Sequence, residues 1–233
     1  MIATTELDAI LLDVGGVFYL PDPDRIVAAA RRHELEVDAD ALPRAHFTAC
    51  ASMTQFDEGD AAIWTEYQRS YARSLGIPRD REDDAIDVLM TEFAIAGMWR
   101  WIIPGSVAAL GRLAALGLPM AIVSNSDGTA AIRLREDEIC QVGPGPGVEL
   151  HAIVDSGLVG VAKPDPAIFR IALEALGVDA ARTIYVGDTP AADVVGARAA
   201  GIEPVLLDPY DLCAHVACTR VASLADVVDL VRA

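Results

Sequence analysis

One pattern occurs four times along this chain: a short apolar run that halts at a polar side chain. Ala9-Ile-Leu-Leu-Asp13 leads into Gly15-Gly16, and Met120 to Val123 into Ser124-Asn125. Ile184 to Val186 leads into Gly187-Asp188, and Glu203 to Leu207 into Asp208. Runs this short, without polar alternation, read as strands buried on both faces, which is the condition of a parallel sheet. Helical spacing fills the intervals. Ser106 opens a segment carrying Val107, Leu110 and Leu113 that stops at Gly117. Asp165-Pro166 opens another, with Ile168, Ala172 and Leu176, that ends at Gly177, and Thr189-Pro190 opens a third that ends at Gly201. A side-chain oxygen at each start can cap free amides, and each closing glycine can take the left-handed position. Strand alternating with helix predicts an α/β fold, a parallel sheet covered on both faces that binds its ligand at the carboxyl ends of the strands.

Residues 20–98 break that rhythm and read as consecutive helices, with Ile63, Trp64, Tyr67, Tyr71 and Leu75 at near-helical intervals. They predict a helical insert or cap over 20–98, with 1–19 and 99–233 forming the α/β core. The aromatic stripe reads as the insert's own core rather than a substrate box. Gly143-Pro-Gly-Pro-Gly147 has no helix after it and reads as a surface loop, not a phosphate cradle. A length of 233 residues suits one α/β domain with an insertion or two small domains. The formal charge of −17 is spread along the chain, which argues against nucleic acid and anionic membranes as partners. The longest uncharged stretch runs only from Leu113 to Ser126 and contains Pro119, Ser124 and Asn125, so it does not span a bilayer. Residues 1 to 13 carry neither a basic region nor a long apolar one, so no secretion signal is expected and the cytoplasm is the default compartment. Cys213, His215 and Cys218 lie close in sequence, but no fourth ligand is evident and the spacing fits no common zinc pattern. Ordinary packing is the reading there.

The strand ends and their following loops supply Asp13, Ser124, Lys163 and the pair Asp188 and Asp193. Phosphoryl transfer to a carboxylate needs such a set. One carboxylate attacks phosphorus, a hydroxyl and an ammonium hold the equatorial oxygens, and further carboxylates hold a divalent cation that lets anion approach anion. Asp193 follows Asp188 across a turn that opens a helix, so both carboxylates are expected to face one ion. Each residue alone has a bland reading: strand-end acids, a turn-forming serine, a solvated lysine. Their order in one chain is much stronger. Lys163 adds a clue of its own, because it is the only lysine among 18 basic residues. A crowded phosphate site needs a compact point charge, which the planar guanidinium does not provide.

These segments resemble the haloacid dehalogenase superfamily of hydrolases, with a cap inserted after the first motif. Leu-Leu-Asp13-Val-Gly-Gly-Val17 is similar to motif one, Ile-Val-Ser124-Asn to motif two, Lys163-Pro-Asp-Pro to motif three and Val-Gly-Asp188-Thr-Pro-Ala-Ala-Asp193 to motif four. The resemblance covers residues 5–19 and 100–233 and implies a Rossmann-like core. Gly59 before a Trp64-containing helix looks similar to the four-helix caps of the family's phosphatases. By resemblance Asp13 is the nucleophile, Ser124, Asn125 and Lys163 bind the phosphoryl group, and Asp13, Asp188, Asp193 and the backbone carbonyl of Gly15 serve Mg²⁺. The implied substrate is a small phosphorylated metabolite. One departure stands out. Phosphatases of the family usually carry a second aspartate two positions after the nucleophile as general acid and base, and here that position is Gly15. Such help is worth roughly a hundred- to ten-thousandfold. Asp57 or Asp60 of the insert is a candidate substitute. Two alternatives follow from the departure: a non-catalytic binding or regulatory protein on the same fold, and a 2-haloacid dehalogenase, whose halide leaves without a proton. Phosphonate cleavage through a cap Schiff base is excluded because residues 20–98 contain no lysine.

Overall fold

The computed structural model describes residues 7–53, 61–95 and 97–232. Its centre is β1 (Ala9–Leu12), which pairs in parallel with β4 (Met120–Ser124) on one side and β8 (Thr183–Gly187) on the other. The sheet continues through β7 (Ala152–Asp155) at one edge, and through β9 (Glu203–Leu207) to β10 (Thr219–Val221) at the other. All six strands are parallel, in the order β10-β9-β8-β1-β4-β7. The apolar run of β1 is continuous because each face has its own layer. Ile10 and Leu12 pack with Leu110, Leu113, Val227 and Val228, from α5 (Ser106–Ala114) and α10 (Leu224–Arg232). Leu11 faces the opposite way, onto Ile168, Phe169 and Ala172 of α8 (Pro166–Leu176).

Asp165 caps α8 by accepting from the Ala167 amide at 2.8 Å, and Gly117, Gly177 and Gly201 are left-handed, with φ of 77°, 68° and 81°. Two expected caps are absent. The residue before α5 is Gly105 at φ 83°, and the Ser106 hydroxyl donates back to the Ile103 carbonyl at 2.8 Å. Thr189 precedes a π-helical turn, Pro190–Val194, that runs into α9 (Val195–Ala199) without a side-chain cap from Thr189.

The chain leaves and re-enters the sheet through a two-stranded antiparallel ribbon of β2 (Tyr19–Pro21) and β3 (Trp99–Ile102), which the sequence reading does not contain. Between these strands lie α1 (Pro23–Arg32), α2 (Leu42–Ser52), α3 (Ala61–Ser74) and α4 (Glu82–Phe93). They bury their own cluster, including Ile26, Ala45, Tyr67, Tyr71 and Leu89. Tyr67 and Tyr71 from the aromatic stripe are therefore packing residues. Gly143 to Gly147 joins the short strands β5 (Cys140–Val142) and β6 (Val148–Leu150) and folds around the Gln141 side chain, which accepts from the Gly147 amide at 2.9 Å. Among the described residues, no helix is long and apolar enough to cross a membrane.

Candidate active site

Asp13 follows β1 directly, Ser124 ends β4, Asp188 follows β8, and Lys163 reaches in from the loop before α8. All four are buried. The Lys163 ammonium lies 2.7 Å from Asp13 Oδ2 and 2.8 Å from Asp193 Oδ1, and donates to the Tyr185 hydroxyl at 2.8 Å. Three donors thus meet three oxygens in a confined space, a task for an ammonium and not for a guanidinium. Burial by itself would lower the Lys163 pKa, but the Asp13 and Asp193 carboxylates outweigh it and hold the amine charged.

Asp193 has a more local task than its spacing suggests. Its Oδ2 accepts from the backbone amides of Asp188 and Thr189 at 2.9 and 2.8 Å, while Oδ1 faces Lys163 and lies 3.0 Å from the Tyr185 hydroxyl. Four partners occupy the four lone-pair sites of a carboxylate. The carboxylate therefore closes the turn after β8 and steers Lys163. Asn125 is also committed to the backbone. Its Oδ1 accepts from the Lys163 amide at 2.8 Å and its Nδ2 donates to the Lys163 carbonyl at 3.1 Å, which fixes the lysine loop beside β4.

Carboxylate oxygens of Asp13, Asp188 and Asp193 come within 4.8 Å of one another. Burial, opposed by Lys163 and reinforced by Asp193 and Asp188, pushes the Asp13 carboxyl up to about 7. Asp188 goes the other way: burial alone would raise it, but the hydrogen bond and charge of His46, then Cys50 and Lys163, bring it below the usual carboxylate range. With Asp193 committed to its own turn and to Lys163, Asp13 and Asp188 are the hard oxygen donors that fit a small divalent cation.

Asp13, Gly15, Ser124, Asn125 and Asp188 line a cavity of about 410 Å³, whose walls also include His46, Trp64, Trp99 and Arg133. His46 is the residue that the sequence reading misses most plainly. From α2 its Nε2 lies 2.6 Å from Asp188 Oδ2, and its Nδ1 is 2.7 Å from the Tyr67 hydroxyl. Cys50, one turn later, donates to the same Asp188 oxygen at 3.3 Å. Nothing in the sequence marks which core residue α2 would meet. Tyr185 had a signal, since a hydroxyl inside a fully buried strand must find a partner. Gly59, Asp57 and Asp60 lie outside the described residues. Cys213 is buried, but Cys213, His215 and Cys218 do not form a ligand cluster among the described residues.

The glycines of the motifs have steric reasons. Gly16 is left-handed at φ 66°, and a Cβ there would sit 2.2 Å from Asp188 Cγ. A Cβ on Gly187 would sit 2.4 Å from Asp193 Cγ. Gly16→Ala is therefore expected to displace Asp188 and destabilise the fold by about 2 kcal/mol or more, from backbone strain plus the clash. A thermal melt indistinguishable from wild type would refute that account.

Fold and donor set together define a doubly wound α/β chain with a carboxylate-lined cavity at its strand ends. The chain belongs to the haloacid dehalogenase-like hydrolase family, whose model matches residues 7–201. It is 34% identical over 146 residues to a phosphoglycolate phosphatase of Rhodospirillum rubrum, a match covering 60% of this chain and only 56% of that protein. A plasmid-borne phosphoglycolate phosphatase of Cupriavidus necator is 32% identical over 203 residues, covering 87% of this chain and 80% of the relative. The crystal structure of a phosphatase of the same family from Thermococcus onnurineus shares the fold with a TM-score of 0.56 at 14% identity, over 96% of this chain and 97% of that one.

Proposed function

We propose that this chain is a Mg²⁺-dependent phosphatase of small phosphomonoesters, with Asp13 as nucleophile and the helical insert over 20–98 acting as a cap on a core of 1–19 and 99–233. The observation that carries the reading is the setting of Asp13: on a cavity wall, with one oxygen 2.7 Å from a buried ammonium and a second carboxylate, Asp188, beside it. Asp13, Asp188 and the Gly15 carbonyl would hold the magnesium, which neutralises phosphoryl charge and keeps Asp13 ionised. Lys163, exchanging its contact with Asp13 for one with the substrate, and the Ser124 hydroxyl would hold phosphoryl oxygens as charge shifts onto them. Asp13 attacks phosphorus and the ester P–O bond breaks, so that an aspartyl phosphate remains and the alkoxide leaves, taking its proton from solvent water. Water then attacks phosphorus, releasing phosphate and restoring the carboxylate. Asp193 and Asn125 act through Lys163, one by charge and one by anchoring its backbone.

Arg133 favours a substrate with a second anionic group. Arg133 lines the same cavity as Asp13, and its guanidinium pairs with Asp127, another residue of the cavity wall, at 2.9 Å. The phosphoglycolate phosphatase names of both relatives point in the same direction, toward a phosphorylated carboxylic acid. Arg133→Ala is expected to raise KM for phosphoglycolate about tenfold or more while leaving an aryl phosphate nearly unaffected, the loss of one charge-assisted contact. Equal changes for both substrates would remove Arg133 from recognition.

The deciding experiment is phosphate release from sugar phosphates, nucleotides, phosphorylated acids and an aryl phosphate, with Mg²⁺ and with EDTA. No magnesium-dependent release from any of them favours the binding-protein reading, and chloride release from a 2-chloroacid favours dehalogenation. Stability gives a second check. A carboxyl raised from 3.8 to about 7 keeps its proton in the folded chain where the unfolded chain has lost it. Without metal, stability from this group therefore falls as pH rises across that window. Magnesium removes the penalty, so its increase in Tm should widen from about pH 5 to pH 7; an increase equal at both would contradict the assignment.

A further inference from the structure

His46 and Cys50 stand four residues apart on α2 and so share one helical face. Both are buried, and that face closes on Asp188 at the end of β8. Cys50 Sγ is 3.3 Å from Asp188 Oδ2 and 3.6 Å from His46 Nε2, while Nε2 and Oδ2 are 2.6 Å apart. Nitrogen, sulfur and oxygen ligands around a tetrahedral zinc ion stand about 3.3 to 3.6 Å from one another at ordinary bond lengths. Two of the three edges already have that length, and the third must open by less than about 1 Å. The other ring nitrogen of His46 meets the buried Tyr67 hydroxyl at 2.7 Å, the outer contact that orients a metal-binding imidazole. Thr189 Oγ1, 3.2 Å from Asp188 Oδ1 and 3.5 Å from Cys50 Sγ, borders the fourth position.

We propose that His46, Cys50 and Asp188 form a site for a borderline-soft divalent cation of the Zn²⁺ class, which ties α2 of the insert to the end of β8. A nitrogen and a sulfur ligand select against Mg²⁺ and Ca²⁺. On binding, the thiol and the His46 Nε2–H that faces the Asp188 carboxylate both give their protons to water, and the imidazole proton that remains is on Nδ1, facing the Tyr67 oxygen. Burial holds the Cys50 thiol well above its usual range, so this proton loss lowers the affinity without removing the ligand. The site shares Asp188 with the magnesium cluster proposed above. One carboxylate, drawn toward the helix side, then serves one ion at a time, and zinc acts as a brake on the hydrolase. The binding claim rests on geometry alone, whereas the braking claim rests also on the phosphatase reading.

Cobalt is the probe, because a cysteinate ligand gives Co²⁺ a charge-transfer band in the near ultraviolet. The full chain, free of other metals, is expected to show this band with a single equivalent of Co²⁺ and to lose it when Zn²⁺ is added. Cys50→Ser should abolish the band, and Tyr67→Phe should weaken Co²⁺ binding about tenfold, with circular dichroism confirming that both fold. A wild-type chain without the band overturns the site. So does a band that survives in Cys50→Ser, which would move the metal to Cys213 and Cys218 or to Cys140. In the second arm, Zn²⁺ should suppress magnesium-supported phosphate release in wild type and far less in Cys50→Ser. A cobalt band with turnover unaffected by zinc overturns the brake while upholding the site. A chain that hydrolyses no phosphoester overturns the phosphatase reading, and the cobalt spectrum still decides the site.

Discussion

Asp13→Asn is expected to lower phosphate release by about four orders of magnitude or more while leaving the melting temperature unchanged or higher. The activity loss follows from chemistry, since an amide has the shape of the carboxylate but cannot form the acyl phosphate. The stability half follows from the surroundings. Asp13 is buried beside two other carboxylates, and its ionised form is disfavoured enough to raise its pKa to about 7. A neutral amide is spared that desolvation and repulsion. It still offers an oxygen to the Val14 amide, which Asp13 Oδ1 accepts at 2.7 Å. What it loses is the contact with Lys163, and the ammonium keeps Asp193 and Tyr185. Groups held in a costly state for function commonly give more stable folds when removed. Turnover with Mg²⁺, and thermal melts without metal at about pH 8, measure the two halves. Wild-type turnover would end the nucleophile assignment, and a fall of several degrees would show that the Asp13 to Lys163 contact outweighs the cost of burying the charge.

The core of the pocket was legible because of how parallel sheets are built. A strand covered on both faces is written as an unbroken apolar run, so Asp13, Ser124 and Asp188 stand out as the points where the run stops. Lys163 was legible for a different reason, its isolation among arginines. The outcome was poorer where contact depends on docking. His46 and Cys50 are ordinary residues of a helix with a mixed apolar face, and they meet Asp188 across separations of 142 and 138 residues. The ribbon of β2 and β3 was missed because its strands have three and four residues, and the burial of β3 alternates rather than running apolar. For Asp193 the spacing predicts that it faces one ion together with Asp188, and the structure brings oxygens of the two carboxylates within 4.8 Å of each other. The π-helical turn then bends Asp193 back onto the amides of its own loop, a conformation that a count of residues does not encode.

Gly15→Asp should raise turnover of alkyl phosphates by about a hundredfold or more and that of aryl phosphates far less. A site without a local acid penalises an alkoxide, which must be protonated as it leaves, much more than a phenolate. The wild-type protein should accordingly favour substrates with acidic leaving groups. Backbone conformation does not forbid the change, since Gly15 is not among the left-handed glycines. A Cβ there would meet the Trp99 ring at 3.4 Å, an ordinary contact. The carboxylate beyond it must pass Trp99, so the gain depends on whether that ring, which is only half-buried at the cavity wall, turns aside. The measurement is the ratio of alkyl to aryl turnover in both proteins, with circular dichroism to confirm the variant's fold. An unchanged ratio in a folded, active variant would mean that the proton comes from another group. His46 is then the residue to replace, because among the described residues it is the titratable side chain that the insert's helices place on the cavity wall. In that case His46→Gln, which retains bulk and hydrogen bonding, should depress alkyl turnover selectively and leave the aryl substrate close to wild type.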